Sequence, residues 1–116
     1  MGNLYHIAKA DDWNEALRKG SYEIGSLHHS FLQDGFIHLC YSHQVNVIAD
    51  QIYHGTSDLL LLKIDPAKLA AEVRAEMAIN PPEMFPHLYG PLNTNAVIAV
   101  EPYVVLPNGR FPIVKK

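Results

Sequence analysis

The chain has 116 residues, which is enough for one domain and too short for two. Hydrophobic residues make up 48% of the sequence and charged residues 18%, as is typical of a folded globular domain. The net charge of −3 argues against a broad basic surface that binds phosphates, so we expect no nucleic-acid partner.

Cysteine content and hydropathy bear on the compartment. The single cysteine, Cys40, excludes an internal disulfide and is compatible with a reducing environment. The N-terminus is polar, and no apolar run approaches the roughly 20 residues of a membrane span. We therefore expect a cytoplasmic protein without a membrane partner, organised as a single domain over residues 1–116.

The first part of the chain predicts a strand followed by a helix. Residues 4–8 are short and apolar, as in a first strand that carries His6. Asp12 and Glu15 have the spacing of a capping box, and Gly20 can end the helix in a left-handed conformation. Residues 21–34, which include His28 and His29, predict irregular structure.

A second strand is predicted over residues 35–41. Side chains alternate across a strand, so Phe36, His38 and Cys40 should share one face, and the other face should be apolar. His38 on that face is a candidate site residue. A core histidine with a satisfied hydrogen bond explains the same pattern equally well.

The middle of the chain predicts a second helix and a buried strand. Ser42 is a suitable N-cap, apolar residues follow at helical spacing over 45–52, and Gly55 ends the helix. The continuous apolar run within 58–64 predicts a central strand, and Asp65-Pro66 predicts a short helix.

The last third predicts strands joined by turns. Residues 73–76 form a short strand, and residues 78–91 form a proline-rich loop. Residues 96–105 are predicted to form a strand, in which Pro102 indicates either an edge position or a bend. A hairpin turn at Asn108-Gly109 then leads into a strand over 111–114.

These patterns give about six strands and two main helices, both helices in the first half of the chain. Strands and helices do not alternate regularly, which argues against a doubly wound parallel sheet. The sequence predicts an α+β domain with a mixed or mainly antiparallel sheet.

Residues 85–92 contain two prolines, a glycine, His87 and Tyr89, and predict a rigid loop that presents an imidazole. Histidine has an ordinary pKa of about 6.5 and suits acid–base chemistry. Glu76 precedes this loop. Its alternation with Glu72 and Arg74 favours a solvated strand face, whereas a position at the strand end would make it a general base or a stabiliser of a cation.

The sequence gives less support to two other kinds of site, a metal site and a nucleophilic cysteine. Four of the histidines lie within residues 28–43, but their spacing matches no zinc signature, so we expect no metal. Cys40 has His38 nearby as a base, but its apolar neighbours indicate burial, which makes a thiol unreactive.

Three motifs in this order resemble a family of small, mostly bacterial domains of unknown function, numbered nine hundred fifty-two. They span nearly the whole chain, and the third is highly specific. They are Leu4-Tyr5-His6-Ile7, then Asp34-Gly35-Phe36-Ile37-His38-Leu39 followed by Gln44, and Phe85-Pro86-His87-Leu88-Tyr89-Gly90-Pro91-Leu92.

That family is similar in fold to the ADP-ribosyltransferases, whose split antiparallel sheets hold NAD in a cleft. The resemblance implies that His6 contacts a ribose or the nicotinamide amide. It also implies that His38 and Ser42 occupy nucleotide-binding positions and that Glu76 matches a family glutamate.

The expected function is binding of NAD or a related nucleotide as substrate, with possible cleavage of the nicotinamide–ribose bond. Glu76 would hydrogen-bond the ribose and stabilise positive charge, and His87 would act as acid or base. Tyr89 would stack on a ring, while His6, His38 and Ser42 would hold the nucleotide. Three alternatives remain open: a non-catalytic binding module, an NAD-consuming enzyme acting on phosphorylated RNA ends, and an interaction domain whose histidines only satisfy loop carbonyls.

Overall fold

The computed structural model describes residues 2–26, 29–30, 35–79 and 82–114. These residues form ten strands, two α-helices and three short 3-10 helices. The helices are α1 (Ala10–Lys19) and α2 (Val45–Ile52), with 3-10 turns at Ser42–Gln44, Pro66–Lys68 and Thr94–Ala96. The strands are β1 (Leu4–Lys9), β2 (Ser21–Tyr22), β3 (Ile24–Ser26), β4 (His29–Ser30), β5 (Ile37–His38), β6 (Leu59–Ile64), β7 (Glu72–Ile79), β8 (Pro82–Tyr89), β9 (Leu92–Asn93) and β10 (Val97–Pro102).

Two three-stranded sheets carry the fold. The first has the order β1-β6-β10, and the second has the order β5-β8-β7. Two further pairs, β2 with β9 and β3 with β4, are short. All these pairings are antiparallel, which confirms the predicted α+β class and its mainly antiparallel sheets. The prediction that β6 is a central strand is confirmed, and β10 lies at the edge of its sheet, one of the two positions that Pro102 indicated.

The first sheet lies between two apolar cores because β1 is buried on both faces. Leu4 and Ala8 point into one core, which also contains Trp13 of α1. Tyr5 and Ile7 point into the other, which α2 covers. Chain segments from both halves of the sequence therefore pack against one strand.

The predicted proline-rich loop over residues 78–91 is wrong, since β7 and β8 pair along most of it. Pro82 stands at the first position of β8, where a strand tolerates proline. Pro86 lies inside the sheet, and its carbonyl accepts a hydrogen bond from the Leu39 N–H at 3.0 Å. In an antiparallel ladder a residue directs both backbone polar groups to one side, so pairing with β7 loses no donor at Pro86.

The start of α1 also differs from the prediction. The helix begins at Ala10 with Lys9 as N-cap and no capping side chain, so the capping box of Asp12 and Glu15 does not form. The Ala10 N–H instead donates to the Asp58 carbonyl at 2.9 Å, which lets β1 run directly into the helix. The predicted end is confirmed, because Gly20 has a left-handed φ of +85°.

Several smaller elements differ in extent. The predicted strand over 35–41 is only β5 plus a bridge between Cys40 and Tyr5. Ser42 is the first residue of a 3-10 turn rather than the N-cap, and α2 ends at Ile52, before Gly55. Residues 111–114 follow the predicted turn but form no strand.

The region predicted to be irregular contains β2, β3 and β4. The predictions for residues 27–28 and 31–34, including His28 and Asp34, lie outside the described residues. In the described part of the chain, no helix has the length and apolar character needed to cross a membrane.

Candidate active site

Three polar side chains meet on the face of the β7–β8 hairpin that points away from the Trp13 core. Glu76 pairs with Phe85, which places its carboxylate diagonally across from His87. Glu76 Oε1 accepts hydrogen bonds from His87 Nδ1–H, at 2.8 Å, and from the hydroxyl of Tyr89. Glu76 therefore stands within the strand, not at its end, and the strand register rather than a loop brings it to His87.

These hydrogen bonds set the charge of the group. The Tyr89 hydroxyl, and after it the His87 ring, hold the pKa of Glu76 below its usual value. The same bond to Glu76 raises the pKa of Tyr89. The guanidinium of Arg74 lies 4.5 Å from the centre of the Tyr89 ring. Glu76 is therefore a carboxylate at neutral pH and accepts both donors.

The carboxylate fixes the tautomer of neutral His87. Because Nδ1 donates to Glu76, the other ring nitrogen, Nε2, is the acceptor. Phe36 stacks on the imidazole with ring centres 4.0 Å apart, and the His38 ring lies edge-on at 5.4 Å. An imidazole oriented by a carboxylate is suited to general acid–base catalysis.

His87 lies on the wall of a cavity of about 600 Å³, a volume within the range of small-molecule sites. The cavity lies between α2, the β7–β8 hairpin and the segment that contains β5. His6 and His38 line it as well, so histidines from three separate segments share one cavity. The main apolar wall residues are Phe36, Leu39, Ile48, Ile52, Tyr53 and Phe85.

The other predicted site residues lie farther from the cavity. Glu76 and Tyr89 do not line it, although Glu76 bonds to His87 and the Tyr89 ring is 5.4 Å from that of Phe36. Ser42 is buried at the start of its 3-10 turn and does not line it either.

His6 occupies the cavity wall with both ring nitrogens engaged. Nδ1 donates to the backbone carbonyl of His38 at 2.7 Å, so Nε2 accepts from the hydroxyl of Tyr22 at 3.0 Å. Desolvation lowers the pKa of His6 to about 4. His6 is therefore neutral at pH 7, and neither ring nitrogen is available to a ligand while the Tyr22 hydroxyl keeps its bond.

Cys40 also lines the cavity, but its chemistry is suppressed. Burial raises the pKa of the thiol to about 12, so the thiolate that a nucleophile requires is scarce at neutral pH. This agrees with the unreactive cysteine expected from its apolar neighbours. Among the described residues no group of three or more histidine, cysteine, aspartate or glutamate side chains could hold a metal ion.

Three residues that shape the site were not among the predicted site residues, although Phe36 and Gln44 belong to the second motif. Phe36 covers His87, and its position two residues before His38 was a usable signal. Gln44 is buried, and its amide nitrogen donates to Glu83 and to the Met84 carbonyl, both at 2.8 Å, which ties α2 to β8. Tyr22 holds His6 from a segment that gave no signal at all.

The profile of the family described as "Protein of unknown function (DUF952)" matches residues 7–100. The chain belongs to this family. The predicted family is thereby confirmed. No curated protein matches the chain significantly.

Solved structures similar to this DUF952 chain come from Caulobacter crescentus. The crystal structure of protein CC0527 has 29% sequence identity and a TM-score of 0.82, covering 95% of this chain and 93% of that one. The solution NMR structure of CC0527 has 30% identity and a TM-score of 0.77, covering 95% and 91%.

Proposed function

We propose that the cavity binds the nicotinamide end of NAD or a related nucleotide and that His87 acts as the acid or base in cleaving the nicotinamide–ribose bond. The observation that carries the proposal is the His87 imidazole itself. It is oriented by Glu76, stacked on Phe36 and located on the wall of a cavity of ligand size.

The arrangement of the sheets supports the proposal of an ADP-ribosyltransferase-like fold. Two separate three-stranded antiparallel sheets flank the site, as a ligand cleft between split sheets would require. The proposal goes beyond the α+β class in two ways. It assigns the chain an ADP-ribosyltransferase-like fold, and it assigns NAD as the substrate.

Each side chain has a role in the proposed reaction. Phe36 and Phe85 provide apolar surface for a planar ring, and His38 lies at the same wall. The Glu76 carboxylate orients His87 and stabilises the positive charge that the imidazole acquires when it takes up a proton. Glu76 does not line the cavity, so the expected hydrogen bond from Glu76 to the ribose has no place in this arrangement. Tyr89, expected to stack on a ring, instead holds Glu76 by a hydrogen bond. His6 and Ser42 support the walls.

The bond changes are simple. The C–N bond between ribose and nicotinamide breaks, and its electron pair leaves with the ring, which becomes neutral. An acceptor hydroxyl or a water bonds to the ribose carbon, and its proton passes to His87 Nε2. The charge on Glu76 stays constant throughout, in agreement with its lowered pKa.

A non-catalytic binding module is the second candidate, and one observation favours it. No carboxylate lines the large cavity among the described residues, so a positive charge on a bound ribose would have no anionic side chain beside it. Such a module would bind the same ligand without turnover.

Nicotinamide release and thermal shift with NAD separate the candidates. Release with a raised melting temperature supports the enzyme, because a ligand at 100 times its Kd stabilises the folded state by about 2.7 kcal/mol. A shift without release supports the binding module. If neither nicotinamide release nor a thermal shift is observed anywhere across pH 5–9, both candidates are contradicted.

Matched histidine variants locate the effect. His87→Ala should abolish nicotinamide release and leave the melting temperature of the free protein within a few degrees of the parent value. His54→Ala, at an exposed position outside the cavity, should change neither. Equal loss in both variants would place the activity elsewhere.

A further inference from the structure

A second hollow lies beside the cavity, between α2 and the β7–β8 hairpin. This hollow has a volume of about 140 Å³ and shares the wall residues Ile48, Ala78 and Phe85 with the large cavity. Its far end is polar, since Glu83 and Gln51 line it. We refer to the two adjacent hollows together as the cleft; His87 lines the large one and Glu83 lines the small one.

Strand geometry gives the length of this cleft. His87 and Glu83 are four positions apart on β8 and lie on the same face. At about 3.3 Å per residue, their side chains leave the strand about 13 Å apart. Phe85 lies between them on that face and makes the middle of the cleft apolar. The span matches a planar ring joined to one sugar more closely than it matches an extended dinucleotide.

The charge of the cleft also favours a ligand without phosphate groups. No lysine or arginine is found among the described residues that line either space. The sequence has neither residue type between Lys19 and Lys63, the stretch that supplies most of the walls. Arg74 is the cation of the hairpin strands, and its guanidinium bonds to Glu72 at 3.0 Å rather than lining the cleft. Phosphate groups are normally bound by such cations, so a phosphate inside this cleft would lack them.

Glu83 offers a recognition group instead. Its Oε2 accepts from the Gln44 amide at 2.8 Å and lies 3.4 Å from His43 Nε2. These contacts hold the carboxylate at the end of the cleft. Its second oxygen, Oε1, can accept a hydrogen bond from a sugar hydroxyl or a carboxamide.

We infer that the cleft recognises a phosphate-free nucleoside, bound with its ring near Phe36 and His87 and a hydrogen-bond donor at Glu83. This rests on the proposed function, because it takes the ring-and-sugar part of NAD as the occupant. It goes further in assigning no binding energy to the phosphates, which would lie outside the cleft.

Calorimetric titration with three ligands tests the inference. Nicotinamide riboside, nicotinamide mononucleotide and NAD contain the same ring and sugar and differ in phosphate content. We expect the riboside to bind at least as tightly as the other two. Tighter binding of the mononucleotide or NAD by fivefold or more would overturn the inference and leave the proposed function in place. Binding of none of the three would overturn both.

Two carboxylate variants test the end of the cleft. Glu83→Gln keeps an oxygen for the Gln44 amide but removes the charge, and it should weaken riboside binding about tenfold, as loss of a charge-assisted hydrogen bond predicts. Glu101→Gln, an exposed position on β10 outside the cleft, should leave the affinity unchanged. Melting temperatures of both free variants should match the parent. Unchanged riboside affinity in a folded Glu83→Gln variant would contradict the assignment of Glu83.

Discussion

Two histidines of the cavity wall, His6 and His87, differ in what their ring nitrogens can do. His6 uses one nitrogen on the His38 carbonyl and the other on the Tyr22 hydroxyl. His87 uses Nδ1 on Glu76, and Nε2 is the acceptor nitrogen of its neutral ring. The first histidine is therefore suited to holding the segment that contains β5, and the second to moving a proton.

The buried His6 should make folding stability depend on pH. Its pKa is about 4 in the folded protein and near 6.5 when unfolded, so the unfolded chain binds more protons between these values. Stability should be fully present above pH 6.5 and fall by about 3 kcal/mol as pH drops towards 4. Urea unfolding at a series of pH values measures this loss.

His6→Asn is the control for that loss. Asparagine can still donate to the His38 carbonyl but does not titrate. The variant should be less stable at pH 7 and should lose less stability between pH 6.5 and 4 than the parent. An identical pH dependence in the two proteins would show that other groups cause it.

Some of the residues that form the site could be predicted from the sequence. Alternation along residues 36–41 predicted that Phe36, His38 and Cys40 share one face, and all three line the cavity. Leu39, predicted on the other face, lines it as well, because the strand ends at His38. The hydrogen bond from Tyr22 to His6 joins positions 16 apart, and no local pattern encodes it.

At the scale of elements, Gln44 connects α2 to the hairpin that carries the site. Its side-chain oxygen accepts from the Tyr41 N–H at 3.0 Å, while its nitrogen donates to Glu83 and to the Met84 carbonyl. The side chain is 2% exposed, so water cannot replace these bonds.

Gln44→Ala should therefore destabilise the fold by about 2–3 kcal/mol, because it leaves buried polar partners unsatisfied. The midpoint of urea unfolding measures the change. Gln51→Ala, in the exposed part of the same helix, should stay within about 0.5 kcal/mol of the parent. Similar losses in the two variants would mean that helix propensity, rather than the connection to β8, controls stability here.

The β7–β8 hairpin is the element that sequence reasoning misjudged most. Four prolines in residues 81–91 predicted a loop, since proline lacks the donor that a strand interior uses. The sheet accommodates Pro86 because its carbonyl faces the short strand β5. That compensation depends on where another strand ends, and residues 85–92 contain no information about it.

At the scale of the whole molecule, the two cores share the sheet β1-β6-β10 and should unfold together. Val45 lies in the core under α2 and is 0% exposed, whereas Trp13 lies in the other core. Val45→Ala should lower stability by about 2 kcal/mol through lost burial and a small cavity.

Tryptophan fluorescence and far-UV circular dichroism should report the same midpoint for Val45→Ala, because a small single domain unfolds in one step. Val104→Ala, at a position that is 65% exposed, should shift neither signal. A fluorescence midpoint that stays at the parent value while the dichroism midpoint falls would show that the cores unfold separately.

The sequence by itself determined the class of the fold, both helices, several of the main strands and the family of the chain. Those features follow from local hydrophobic periodicity, turn residues and motif order. The tertiary structure decided that Glu76 orients His87, that both nitrogens of His6 are engaged, and that the hollows lined by His87 and by Glu83 lie side by side. These depend on strand register and on contacts between distant segments, which are set by how the whole chain packs rather than by any short stretch of it.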